Sequence, residues 1–114
     1  MLATLMGLKS ISCREVSDML PQQRAVIIDV NATSRWASAH VPGARNLDPA
    51  QFDAPELPAD KHTELVFYCS NFLCRKAPTA ARRAKAMGYT EVRVMSAGIQ
   101  GWRSEGLPVE TSAG

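Results

Sequence analysis

The sequence predicts an α/β fold, a mostly parallel sheet with helices on both faces, built as one domain over residues 1–114. Three observations carry that expectation. Residues 25–30 and 64–69 are continuous runs rich in β-branched and aromatic side chains, as expected of strands covered on both faces. Helical patterns alternate with them along the chain, and that order favours parallel pairing through crossover helices. A length of 114 residues, 46% hydrophobic and 21% charged, suits one core and is too short for two.

Each element has a local reason. Ser12 and Glu15 form a capping-box pattern, and Val16, Met19 and Leu20 follow at helical spacing until Pro21 stops the run. Residues 25–30 read as a central strand. Residues 33–39 read as a short helix with hydroxyl caps, ended by the turn His40-Val41-Pro42-Gly43, and residues 44–47 as a second buried piece. Residues 48–63 hold Pro49, Pro55 and Pro58 without a sustained period, which predicts a surface connection with at most one short helix. The strand at 64–69 runs into Ser70-Asn71-Phe72-Leu73-Cys74 and then a helix. There Ala80, Ala81, Ala84 and Met87 share one stripe, Gly88 stands at the C-terminal cap, and Pro78 fits only in the first turn. Residues 92–95 form a third strand and 98–104 a last helix, closed by Gly106 and Pro108.

Composition excludes several classes of function. Thirteen Lys and Arg stand against eleven Asp and Glu, so global charge calls for no nucleic-acid partner. The local cluster Arg75, Lys76, Arg82, Arg83 and Lys85 biases its surroundings towards anions, or simply forms a solvated helix face. The apolar opening, Met1 to Leu8, is too short to span a bilayer and lacks a signal-peptide pattern, which makes the cytoplasm the expected location and no membrane a partner. Two histidines and three cysteines show no paired ligand spacing, so no metal site is expected. His40 is expected to hold its turn through ring hydrogen bonds, His62 has no assigned role, and Trp36 and Trp102 are expected to pack in the core or at its rim.

The three cysteines, Cys13, Cys69 and Cys74, cannot all pair within one chain. Cys13, in the first helix's opening turn, is expected to be structural. Cys69 ends a strand at the kind of position where open parallel sheets bind ligands. The following helix turns its unpaired first amides towards the loop, and Arg75 and Lys76 add charge, a setting that lowers a thiol's pKa from its usual ~8.5. Such a thiolate can attack the outer sulfur of an anionic donor, hold it as a persulfide, and yield it to a second nucleophile without metal or cofactor. Equally, Cys69 can be an inert buried thiol. A Cys69 sealed from solvent would undo the first reading.

Three separated motifs break the tie. Ile28-Asp29-Val30 with His40-Val41-Pro42-Gly43-Ala44-Arg45-Asn46-Leu47, then Val66-Phe67-Tyr68-Cys69, and finally Gly98-Ile99, Trp102 and Gly106-Leu107-Pro108-Val109 resemble the rhodanese family in order and spacing over nearly the whole chain. The resemblance implies a three-layer rhodanese-like domain with a persulfide-forming cysteine, here Cys69. It also implies a loop whose amides bind the transferred sulfur, here Ser70, Asn71, Phe72, Leu73, Cys74, Arg75 and Lys76. Donors would be thiosulfate or a persulfide, and acceptors cyanide or a thiol, including a protein thiol.

The chain departs from the family pattern in three places: Asn31 stands where arginine is usual, Ala97-Gly98 replaces a glycine pair, and the loop lacks glycine and is longer by one or two residues. That longer loop spaces Cys69 and Arg75 as in the Cys-x5-Arg phosphatases and arsenate reductases of the same fold, although no carboxylate lies within it to protonate a leaving oxygen. A binding or redox-sensing module without turnover is the third alternative. Cys74 either resolves the Cys69 persulfide as hydrosulfide, closing a disulfide, or protects Cys69 from over-oxidation, or packs beneath the loop with Leu73.

Overall fold

The computed structural model describes residues 8–112, so most of the apolar opening lies outside the described residues. Five parallel strands form one sheet in the order β1-β5-β4-β2-β3: β1 is Lys9–Ser10, β2 Ala25–Asp29, β3 Arg45–Asn46, β4 Glu64–Tyr68 and β5 Val92–Val94. Four α-helices cover it: α1 (Cys13–Met19), α2 (Thr33–Ser38), α3 (Lys76–Ala86) and α4 (Gly98–Ser104). Among the described residues no helix is long and apolar enough to cross a membrane.

The pleat sorts side chains into two cores. Ile28, Val30, Leu65, Phe67 and Cys69 point to the α3 side, where Ala77, Ala80, Ala81 and Ala84 meet them. Ile27, Val66 and Tyr68 point to the other side, against Cys13, Val16 and Trp102. Burial of both faces explains why β2 and β4 are apolar except for Asp29 and Glu64 at their ends.

Local devices fix the ends. The Ser12 hydroxyl accepts from the Glu15 amide at 3.1 Å, and the Glu15 carboxylate accepts from the Ser12 amide at 3.3 Å, completing the capping box of α1. Pro78 lies in the first turn of α3, and Gly88 follows that helix at φ +105°. The His40 ring bonds the Trp36 carbonyl at 2.7 Å and stacks on the Trp36 indole, while His62 is exposed. Trp102 is fully buried and donates to the Pro108 carbonyl at 2.8 Å.

Two expectations need correction, and one strand was not foreseen. The hydroxyls at the start of α2 do not cap it: its N-cap is Ala32, and Thr33 donates instead to the Asn46 side chain at 3.0 Å, tying α2 to β3. Residues 48–63 are more than a surface connection, because Phe52 and Leu57 enter the α3-side core and Tyr89 donates to the Pro58 carbonyl. β1 lacks a sequence signal altogether. Its two side chains are exposed and only backbone pairing to β5 defines it.

Candidate functional site

Cys69 directly follows β4 at the carboxyl end of the sheet, between β5 and β2. Its neighbours are built from three segments. Behind it, the first amides of α4 hold the chain: Ile99 donates to the Cys69 carbonyl and Gln100 to the Ser70 carbonyl, both at 3.0 Å. On the β2 side, the Ser70 hydroxyl donates to the Asn31 side chain at 2.9 Å. Beyond it, residues 70–75 lead into α3, whose start carries no side-chain cap.

The loop is organised by Asn71. Its side-chain oxygen accepts from the Leu73 amide at 2.9 Å and its carbonyl from the Cys74 amide at 3.2 Å, so the chain bends back on itself. Those two amides are therefore spent within the loop, which narrows the expected anion cup. Among the described residues the amides of Phe72 and Arg75 have no acceptor, and in the first turn of α3 those of Lys76 and Ala77 precede a proline that has none to offer. Arg75 and Lys76 are exposed and make no ion pair among the described residues.

Cys69 and Cys74 are joined as a disulfide, with Cα atoms 6.4 Å apart. Cys69 is 3% exposed and borders a cavity of about 10 Å³ shared with Phe72, Cys74, Ala77 and Met95. In this oxidised arrangement no thiolate faces solvent. Cys69 packs within the α3-side core and Cys74 packs against the same cluster, so the expectation of a solvent-open Cys69 does not hold in this disulfide-bonded state. Leu73 does not pack beneath the loop as one expectation held. It is 85% exposed and Phe72 54%, while Cys74 alone turns in against the core.

Sequence reasoning placed Gly98 in a motif but missed its contact with the loop, and it missed Gln100 and the Asn31–Ser70 bond. Gly98 has φ +66°, and a Cβ there would lie 2.5 Å from the Ser70 carbonyl carbon and 2.7 Å from the Cys69 oxygen, so only glycine lets α4 approach the loop this closely. Beside Ser70 and Asn31 opens a cleft of about 360 Å³ flanked by Arg35, Gln100 and Arg103. A larger one, about 440 Å³, lies at the opposite, amino-terminal end of β2 and is remote from Cys69.

Three further titratable groups are buried. Cys13 is buried, and burial, with the Glu105 carboxylate adding to it, pushes its thiol up to about 11. Asp29 is fully buried: one oxygen accepts from the Asn31 amide at 2.7 Å and the other has no partner among the described residues. Burial holds its carboxyl above the ordinary value, against the opposing pull of the Tyr68 hydroxyl and Asn31. Burial likewise raises the Tyr68 phenol, whose oxygen accepts from the Val41 amide at 3.0 Å. Among the described residues no group of side chains could hold a metal ion.

Against known proteins, residues 12–105 match the sequence profile of the family described as rhodanese-like domain. The chain is 35% identical over 89 residues to an HTH-type transcriptional regulator, Rv0324, of Mycobacterium tuberculosis; this covers 76% of the chain and only 38% of that protein. It is 28% identical over 107 residues to the thiosulfate sulfurtransferase GlpE of Haemophilus influenzae, covering 94% of the chain and 99% of the relative. The crystal structure of a thiosulfate sulfurtransferase from Pseudomonas aeruginosa superposes with a TM-score of 0.84 at 20% identity, over 97% of the chain and 22% of that longer protein.

Proposed function

The chain belongs to the rhodanese-like domain family, and from there we propose that it is a sulfurtransferase carrying sulfane sulfur on Cys69. The observation that carries this reading is the position of Cys69. It stands at the carboxyl end of a central parallel strand and opens the loop that leads through Arg75 into the start of α3, which supports an anion-binding role for that loop.

In the reduced chain the Cys69 thiolate attacks the outer sulfur of thiosulfate or of another persulfide. The donor's S–S bond breaks, sulfite or a thiolate leaves with the electron pair, and Cys69 keeps a terminal S⁻ facing the amides of Phe72, Arg75, Lys76 and Ala77. An acceptor thiolate or cyanide then attacks that terminal sulfur and returns Cys69 to a thiolate. No cofactor or metal takes part. The cleft between Arg35 and Arg103 borders Ser70, next to Cys69, and is large enough for an anionic donor or a thiol to approach the loop. A reducing compartment such as the cytoplasm keeps Cys69 and Cys74 as thiols.

Phosphate chemistry is less well supported, because Asp29 is sealed in the core and engaged with the Asn31 amide, leaving a leaving-group oxygen without a proton donor from that residue. The test is cyanolysis after reduction: the wild type forms thiocyanate from thiosulfate and cyanide, and Cys69→Ser does not. Hydrolysis of p-nitrophenyl phosphate or reduction of arsenate in place of thiocyanate formation would transfer the assignment to the Cys-x5-Arg enzymes. Inactivity in all three assays would leave a binding or redox-sensing module.

A further inference from the structure

Within the sulfur-transfer reading, on which this step rests, we infer that Cys74 discharges the Cys69 persulfide inside the chain. The sulfur then leaves as hydrosulfide, and the chain cycles between a dithiol and the Cys69–Cys74 disulfide at the expense of an external dithiol.

The geometry supplies three reasons. First, the Asn71 bend returns Cys74 to Cys69, with Cα atoms 6.4 Å apart, inside the range of roughly 4.4–6.8 Å that disulfides span. The bond is to the sulfur of Cys69 itself, which is the inner sulfur of a persulfide. Attack there expels the outer sulfur, whereas an external acceptor attacking the outer sulfur would carry it away. Second, the closed loop leaves about 10 Å³ beside the pair, about the room one water needs, so a closed loop cannot retain the displaced sulfur. Third, Cys69 is almost fully covered while Cys74 is half-buried. An incoming dithiol meets Cys74 first and releases Cys69 as the thiolate, the form that accepts the next sulfur.

The steps balance. Cys69–S⁻ takes the sulfane sulfur of thiosulfate and sulfite departs. The Cys74 thiol then forms the S–S bond to Cys69 while the persulfide bond breaks, and the Cys74 proton leaves with the outer sulfur as HS⁻. Two thiols are oxidised and one sulfane sulfur is reduced. A dithiol restores both cysteines through a mixed disulfide on Cys74, becoming a disulfide itself. The net reaction turns thiosulfate and a dithiol into sulfite, hydrogen sulfide and the oxidised dithiol.

The test is a single turnover. Reduced protein, desalted free of reductant, receives one equivalent of thiosulfate. The wild type should release one equivalent each of sulfite and sulfide, and its intact mass should fall by two hydrogens. Cys74→Ser should release sulfite without sulfide and gain one sulfur. Dithiothreitol added afterwards should restore the wild type for a second round. A wild type that keeps the added sulfur and yields no sulfide would overturn the inference while leaving sulfur transfer intact. Sulfite from neither protein would overturn the sulfur-transfer reading and this step with it.

Discussion

Replacing Gly98 by alanine should damage the loop that carries Cys69, and its cost follows from two separable terms. At φ +66° an L-residue with a Cβ costs about 1–2 kcal/mol in the left-handed region. The new Cβ would also meet Ser70 carbonyl carbon and oxygen at 2.5 and 2.6 Å and the Cys69 oxygen at 2.7 Å, all of them backbone atoms. Carbon contacts are comfortable near 3.5–4.0 Å, so the loop and α4 must separate by about 1 Å. That separation strains or breaks the Ile99-to-Cys69 and Gln100-to-Ser70 hydrogen bonds, worth about 0.5–1.5 kcal/mol each. Together the loss should be about 2–5 kcal/mol, read as a lower urea midpoint. Gly43→Ala and Gly106→Ala isolate the backbone term: their φ values are +79° and +73°, with nothing within 4 Å of the added methyl, so each should lose only about 1–2 kcal/mol. Sulfur uptake by reduced Gly98→Ala should slow as Cys69 leaves its place against α4. A Gly98→Ala midpoint equal to those of the two control variants would refute the close-approach argument.

Three other outcomes are expected. Tyr68→Phe removes the acceptor of the buried Val41 amide and should cost about 1–3 kcal/mol in urea unfolding; a loss below about 0.5 kcal/mol would mean that the amide finds another partner. Because the folded chain holds the Asp29 proton more tightly than the unfolded chain, stability contributed by this residue is lost as pH rises from about 4 through the raised folded pKa. The gap between wild type and Asp29→Asn should therefore move against the wild type over that interval and then level off, and a gap constant from about pH 3 to about pH 7 would contradict the raised pKa. In the reduced native chain, iodoacetamide at about pH 8 should stop at two thiols, Cys13 reacting only on unfolding, since burial in the core at the start of α1 pushes its thiol up to about 11; equal native reaction of all three would refute its burial.

The sheet was legible because its strongest strands are buried on both faces and are apolar along Ala25–Ile28 and Leu65–Tyr68, with charged residues only at one end of each. The capping box of α1 and the alanine stripe of α3 were equally readable, since both are local patterns of side chains at fixed spacing. β1 was not, because two exposed residues that pair only through their backbone leave no mark on side-chain choice. The burial of Phe52 and Leu57 escaped notice because isolated apolar residues in an aperiodic stretch give no period to detect. At the site, the position of Cys69 after a buried strand was plain. The capture of two loop amides by Asn71 and the Gly98 contact depend on how distant segments meet, which spacing alone does not encode.

The alanines of α3 connect packing to chemistry. Ala77, Ala80, Ala81 and Ala84 are all but completely buried, and with only a methyl group each they let the helix lie close on β4 and β5. The field at a helix start fades within one turn, so it acts on Cys69 only if that start is close. Ala77 lines the same small cavity as Cys69. Under the proposed sulfur-transfer reading, a larger side chain at 77 or 80 should push the start of α3 away from Cys69 and slow sulfur uptake. The small-residue stripe thus fixes how closely the start of α3 lies on β4, while Gly98 fixes how closely α4 lies on the loop after Cys69.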